Sequence, residues 1–244
     1  MKIIVAIGGG EIRKFETLEI DRIIVEMTGL RRPKALFIPT ASGDSQNYWE
    51  AFQRLYGARL GCETNVLMLI RGPSDPKEII EKIGEADLVY VGGGNTLRMM
   101  RRWRRLGVDK LLLQAYERDT VLSGLSAGSI CWFRYGHSDS RKFSASGEDW
   151  DFIRVRGLGL VSATNSPGST DEARIKSFQK MICQRGGVGI AIDDNCAMVI
   201  RDETYEVVRC RRNANVYRLH RRRGEVFTEE IPSSGNMSDI LKSR

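Results

Sequence analysis

The sequence predicts an α/β protein: a mostly parallel, doubly wound sheet with helices on both faces, followed by antiparallel C-terminal strands. Three observations predict it. Short, nearly continuous apolar runs alternate with amphipathic stretches of helical length through the first two-thirds of the chain. Runs without polar alternation belong to strands buried on both faces, the mark of a parallel sheet, and the alternation implies right-handed βαβ crossovers. The last third instead shows short strands separated by turn residues, as in an antiparallel meander.

Taken in order, residues 2–7 (KIIVAI), 34–40 (KALFIPT), 65–70 (NVLMLI), 86–91 (ADLVYV) and 120–125 (TVLSGL) are the strand candidates of the first part. Helical periodicity falls on 15–28, 46–60, 76–83, 96–106 and 109–118 between them, with a short helical stretch at 129–133. A polar loop over 137–152, a glycine-rich strand at 156–161 (RGLGLV) and a helix from near 169 follow. The segments 189–194, 196–202, 204–211 and 215–221 are the antiparallel strands, and the polar residues 233–244 are expected to form a loosely held tail. No repeat or linker divides residues 1–232, which are expected to form one domain.

Composition narrows the function classes. A content of 41% hydrophobic and 28% charged residues excludes disordered and fibrous classes, and no apolar run approaches the ~18 residues of a membrane span. The N-terminus is read as a first strand and not as a signal peptide. Five cysteines, an odd number without a C-x-x-C pair, argue against a disulfide framework or a zinc site and for the cytoplasm. The net charge of +7 is modest. Arg98, Arg101, Arg102 and Arg105 would make a basic helical face, and Arg218, His220, Arg221, Arg222 and Arg223 a basic, solvated hairpin. No nucleic-acid motif accompanies them, so no nucleic-acid partner is expected. Antiparallel edge strands could pair two copies into a homodimer.

Two motifs carry chemistry. Gly124-Leu125-Ser126-Ala127-Gly128 lies between a buried strand and a helical stretch, the strand–turn–helix context in which G-x-S-x-G exposes a serine nucleophile. The alternative is a serine that merely caps the helix. Val91-Gly92-Gly93-Gly94-Asn95-Thr96 also follows a buried strand and leaves bare N–H groups on the same rim of the sheet. A nucleotide cradle is disfavoured, because neither a P-loop nor a spaced G-x-G-x-x-G is present, and Glu11 follows Gly8-Gly9-Gly10. No cofactor or metal is expected.

VGGGNT, then GLSAGS, then GLGLVSATNSPGSTDEAR and AIDDNCAMVI together resemble the dipeptidase E family of serine peptidases, which includes aspartyl dipeptidase and cyanophycinase. The resemblance runs from residue 1 to about residue 202. It implies a three-layer sandwich related to class I glutamine amidotransferases, flavodoxin-like in its winding, and a small peptide as substrate. It also implies Ser126 as nucleophile, Gly93 and Ala127 as oxyanion donors, Gly94, Asn95 and Thr96 beside the substrate, and Asp194 as the acidic partner.

The chain departs from the family at the base. Where the family has a histidine after proline, this sequence reads Pro167-Gly168-Ser169. Glycine accepts no proton, and a serine without a base attacks poorly. Among the remaining histidines, His137 is the candidate base, on a loop that would return toward Ser126. Two readings follow: a hydrolase of small peptides or isopeptides with a rearranged base, and a catalytically impaired relative that binds a peptide-like ligand.

Overall fold

The computed structural model describes residues 1–71, 75–143, 151–169 and 171–242. In chain order the first part runs β1 (Ile3–Ile7), α1 (Leu18–Glu26), β2 (Lys34–Ile38), α2 (Gln46–Phe52), β3 (Glu63–Val66), α3 (Pro76–Glu85), β4 (Leu88–Val91), α4 (Thr96–Leu106), α5 (Val108–Glu117), β5 (Val121–Leu125) and α6 (Ala127–Ile130). The second part runs β6 (Phe133–Ser138), β7 (Ile153–Arg156), β8 (Val161–Pro167), α7 (Glu172–Arg185), β9 (Val188–Ile192), β10 (Cys196–Arg201), β11 (Thr204–Arg209), β12 (Val216–Arg222), β13 (Glu225–Glu230), β14 (Ser234–Asn236) and α8 (Met237–Leu241). The chain is thus α/β, and the parallel strands of its larger sheet are mostly those the apolar runs predict.

That sheet has the order β14-β11-β10-β1-β5-β4-β2-β3. Strands β1, β5, β4, β2 and β3 are parallel, and β10, β11 and β14 extend them antiparallel. Every residue of β1, β4 and β5 is buried, as two covered faces require. On one face Val5, Phe37 and Tyr90 pack against Ile20 and Ile24 of α1 and Phe52 of α2. On the other, Ile4, Val89 and Leu122 share a core with Met99, Met100 and Trp103 of α4. Three of the helices, α3, α4 and α7, start at a capping side chain: Asp75 accepts from Lys77 N, Asn95 from Arg98 N and Asp171 from Ala173 N.

A second, six-stranded sheet in the order β13-β12-β9-β8-β6-β7 was not expected. Its centre, β6, β8 and β9, is parallel, and its flanks are antiparallel. The C-terminal strands therefore divide between two sheets. The turn after β9 decides this: Asn195 takes a left-handed conformation (φ 61°) and the chain crosses from β9 in the second sheet to β10 in the first. Phe133, Val161, Ile190 and Val216 of the second sheet join the core beneath α4.

Several boundaries move for local reasons. The helix expected over 46–60 is α-helical only to Phe52 and widens into a π-helical stretch, Gln53–Arg59. The strand expected at 65–70 ends at Val66, after which the Asp44 carboxylate takes the N–H groups of Ile70 and Arg71. The glycine-rich segment 157–160 is not a strand: Leu158 N donates to Cys131 O, and β7 and β8 lie on either side of it. His137, expected on a loop, lies within β6, and residues 144–150 of that expected loop fall outside the described residues.

The tail expected to be loose is built into the fold. β14 pairs with β11, and Met237 and Ile240 of α8 are buried. The Arg218 guanidinium, expected in solvent, is itself buried and donates to the carbonyls of Ile240 and Lys242, capping α8 from the second sheet. His220 is likewise buried, stacked on Phe227 at 5.8 Å. Among the described residues no helix is long and apolar enough to cross a membrane, and all five cysteines are free.

Candidate active site

The sheet's central parallel strands deliver two turns to one rim. β5 ends at Leu125, and Ser126 stands on the elbow into α6 with φ 53° and ψ −112°, a conformation that non-glycine residues rarely adopt. The elbow is locked by its backbone. Ser126 N donates to Ile7 O at 2.9 Å, while Ser126 O accepts from Ser129 N, Ile130 N and Ser129 Oγ. The side chain is spared from this work: Ser126 makes no capping hydrogen bond to α6, and its residue is partly exposed. The helix-cap reading of the motif therefore fails on geometry, and a strained backbone presents a free hydroxyl at the rim.

The glycines of both motifs are there for close approach. A Cβ at Gly124 would overlap the Gly128 carbonyl, and one at Gly128 would overlap the Val91 carbonyl at the end of β4. In the β4–α4 turn each glycine has a different neighbour. Gly92 lies against the rings of Tyr48 and Phe37, with its would-be Cβ 3.0 Å and 3.3 Å away. Gly93 faces Ser126, whose Cβ would stand 3.4 Å off. Gly94 adopts φ 136° against the Ala41 carbonyl. Gly93 thus lies against Ser126, and the Ala127 amide follows Ser126 at the first position of α6, where no partner exists within the helix.

Asn95 and Thr96, expected beside a substrate, are held by the scaffold. Asn95 Oδ1 accepts from Arg98 N at 2.9 Å and its amide donates to Ser140 O, and Thr96 Oγ1 accepts from Ser138 Oγ at 3.2 Å. Both residues are buried. They start α4 and tie it to the end of β6.

His137 is fully buried and engaged at both ring nitrogens. Nδ1 meets Ser166 Oγ at 3.1 Å and Nε2 meets Ser177 Oγ at 3.0 Å, while Phe152 stacks on the ring at 4.3 Å. Burial, reinforced by the Arg174 guanidinium, lowers its pKa to about 3. This imidazole joins β6 to β8 and α7. It offers neither ring nitrogen to Ser126, which corrects the expectation of a loop histidine returning to the nucleophile. Asp139 is similarly committed, paired with Arg174 at 3.1 Å.

Asp194 is better placed. It forms an isolated parallel bridge with Gly9, and a Cβ at Gly9 would overlap its carboxylate. The glycines after β1 are therefore a seat for the 193–195 turn and not a phosphate cradle. Gly8 N donates to Cys196 O, and Asn195 N to Gly9 O, clamping that turn beside the strand whose Ile7 carbonyl holds Ser126. Gly168 takes φ 67°, and among the described residues a Cβ there would meet Asp194 Oδ1, at 3.5 Å. Position 168 thus lies beside this carboxylate.

One supporting residue escaped the sequence reading. Asn165 on β8, fully buried, donates to Ser129 Oγ at 2.8 Å, and Ser129 Oγ donates on to Ser126 O at 2.8 Å. This relay ties the elbow to the second sheet. The serine in GLSAGS was visible, but its partner lies 36 residues away and only the pairing of the sheets joins them.

A protein-family comparison matches residues 4–208 to the peptidase family S51. The chain belongs to peptidase family S51. It is 33% identical over 236 residues to the uncharacterized peptidase YgaJ of Bacillus subtilis (strain 168), covering 95% of this chain and 98% of that one. It is 31% identical over 93 residues to Peptidase E of Streptomyces coelicolor, a match spanning 38% of this chain and 35% of that protein. A crystal structure of a peptidase from an acI-B1 Actinobacterium shares the fold, with a TM-score of 0.70, 20% identity and 97% of each chain covered. Family membership and these relatives support a peptidase function.

Proposed function

We propose that this S51 member is a dipeptidase E-like serine hydrolase that cleaves small peptides or isopeptides through Ser126, slowed by the glycine at position 168. The observation that carries the reading is the elbow itself: a strained serine whose hydroxyl is used for nothing structural. Ser126 Oγ attacks the carbonyl carbon, and the amides of Gly93 and Ala127 stabilise the oxygen as it gains charge. Gly94 follows Gly93 in the same turn, held against the Ala41 carbonyl. The serine proton passes toward Asp194, directly or through water, and then to the leaving amine. A carboxylate is a poor base toward serine, and removing one member of a triad leaves about 10³- to 10⁴-fold catalysis over water, so activated substrates are favoured over ordinary peptides.

A dipeptide library incubated with wild type and Ser126→Ala, with released amines counted, tests this directly. Turnover in wild type that vanishes in the variant supports it. Equal background in both sinks it.

Gly168 favours a second reading, in which the protein keeps the pocket, lacks turnover and binds a peptide-like ligand. Measurable ligand binding with no serine-dependent turnover is its signature.

A further inference from the structure

We propose that Tyr48 is a third donor of the oxyanion hole, a catalytic residue that the glycine and serine motifs do not include. The inference rests on the serine-hydrolase reading and adds a residue to the same site.

Tyr48 lies in the first turn of α2 and is fixed from three sides. Its backbone N–H bonds to Ser45 O, its ring meets Phe37 at 5.0 Å, and its edge lies on Gly92, where a Cβ would come within 3.0 Å. Gly92 has no left-handed backbone to account for its glycine. The rings of Tyr48 and Phe37 account for it, because a Cβ there would crowd both.

The hydroxyl ends up next to the proposed chemistry. Tyr48 Oη accepts a hydrogen bond from Gly93 N at 3.3 Å. The amide that would hold the oxyanion is therefore in contact with the phenol, and Gly93 is also the residue that faces Ser126. The hydrogen bond runs from the amide to the phenol oxygen, so the phenol's own proton is not consumed by it. Among the described residues that proton meets no acceptor. Burial raises the phenol's pKa to about 12, so the proton stays in place at neutral pH.

When Ser126 Oγ bonds to the substrate carbonyl carbon, the C=O π pair moves onto oxygen. That oxygen enters the reach of Gly93 N–H and displaces the long amide-to-phenol contact. Tyr48 then turns its O–H to the oxyanion and keeps its proton throughout. Collapse of the tetrahedral species breaks the C–N bond, and the amine leaves with the proton that Ser126 released. Tyr48 donates a hydrogen bond and transfers nothing.

The test uses Tyr48→Phe, which deletes the hydroxyl and keeps the ring against Phe37 and Gly92. The readout is the second-order rate of adduct formation at Ser126 with a small fluorophosphonate, followed by intact mass. In this reaction the Oγ–P bond forms, fluoride leaves and charge gathers on the phosphoryl oxygen. Removing an oxyanion donor typically costs 10²- to 10³-fold, and the long resting contact places Tyr48 at about 10- to 100-fold slower labelling. The melting temperature is expected to fall by no more than a few degrees, since the ring stays in place and one long hydrogen bond is lost. Wild type labelled on Ser126, with Tyr48→Phe labelled at the same rate or faster, overturns the role of Tyr48 and leaves the hydrolase reading intact. Wild type unlabelled, like Ser126→Ala, overturns both.

Discussion

Gly128 packs so closely on Val91 that a Cβ at 128 would overlap the Val91 carbonyl oxygen. This contact joins the two turns of the site. Val91 is the last residue before the glycines that include Gly93, and Gly128 follows the serine by two positions. The separation between Ser126 and the proposed oxyanion amide of Gly93 is therefore set chiefly by backbone against backbone.

Gly128→Ala follows from that contact. The methyl must push α6 from β4, and overpacking of this kind costs about 1–3 kcal/mol. We expect a melting temperature lower by several degrees, and loss of Ser126 labelling beyond what the stability change explains. Denaturant unfolding and fluorophosphonate labelling measure the two. Wild-type behaviour in both would mean that the elbow has more room than the Gly128–Val91 contact indicates.

Position 168 offers a test of Asp194. Gly168→His adds an imidazole at a position whose Cβ would stand 3.5 Å from Asp194 Oδ1, within range of the base and orienting-acid pairing that serine hydrolases use. A side chain at φ 67° costs about 1–2 kcal/mol. General-base assistance is worth 10²–10⁴, and an unevolved placement should recover about 10- to 100-fold in peptide turnover. A folded Gly168→His protein no faster than wild type would separate Asp194 from the reaction.

His137 is expected to matter for stability and not for the serine. Its pKa falls from about 6.5 when unfolded to about 3 when folded. Between these values the unfolded chain binds a proton that the folded chain does not, so this group's contribution is present above pH 6.5 and is lost as the pH falls through that window toward 3. His137→Gln should flatten the acid limb of melting temperature against pH, lower the plateau near pH 7 and leave Ser126 labelling within about twofold. Since one pKa unit corresponds to 1.36 kcal/mol, the flattening is large enough to read by calorimetry. A proportional collapse of labelling in folded protein would restore His137 as a base.

Ile240 tests the C-terminal helix. It is 5% exposed, and Arg218 binds its carbonyl. Ile240→Ala should cost about 2–4 kcal/mol, in the range of buried large-to-small changes. A loosely held tail would lose nothing, and urea unfolding distinguishes the two.

Much of this was legible in the chain. Apolar runs such as KIIVAI and ADLVYV specify buried strands because side-chain burial is a local property of composition, and β1 and β4 fall where those runs lie. The G-x-S-x-G and G-G-G-N turns were legible for a related reason: tight turns need glycine, and glycine is visible one residue at a time. The helix starts at Asn95 and Asp75 obey the same locality.

Partnership was not legible. Nothing local separates Cys196–Arg201, which extends the first sheet, from Val188–Ile192, which belongs to the second, since both are short apolar strands and the crossing depends on a left-handed Asn195. His137 looked like a candidate base because reactivity was judged by residue type. Its two serine partners, Ser166 and Ser177, come from separate elements. Tyr48, Asn165 and the seat that Gly9 makes for Asp194 were hidden for the same reason. Sequence by itself determined the class of fold and the two glycine-rich turns, both of which rest on contacts between near neighbours. Tertiary structure alone decided which groups meet, because hydrogen bonds and packing act over a few ångströms of space, and chain separation does not measure that distance.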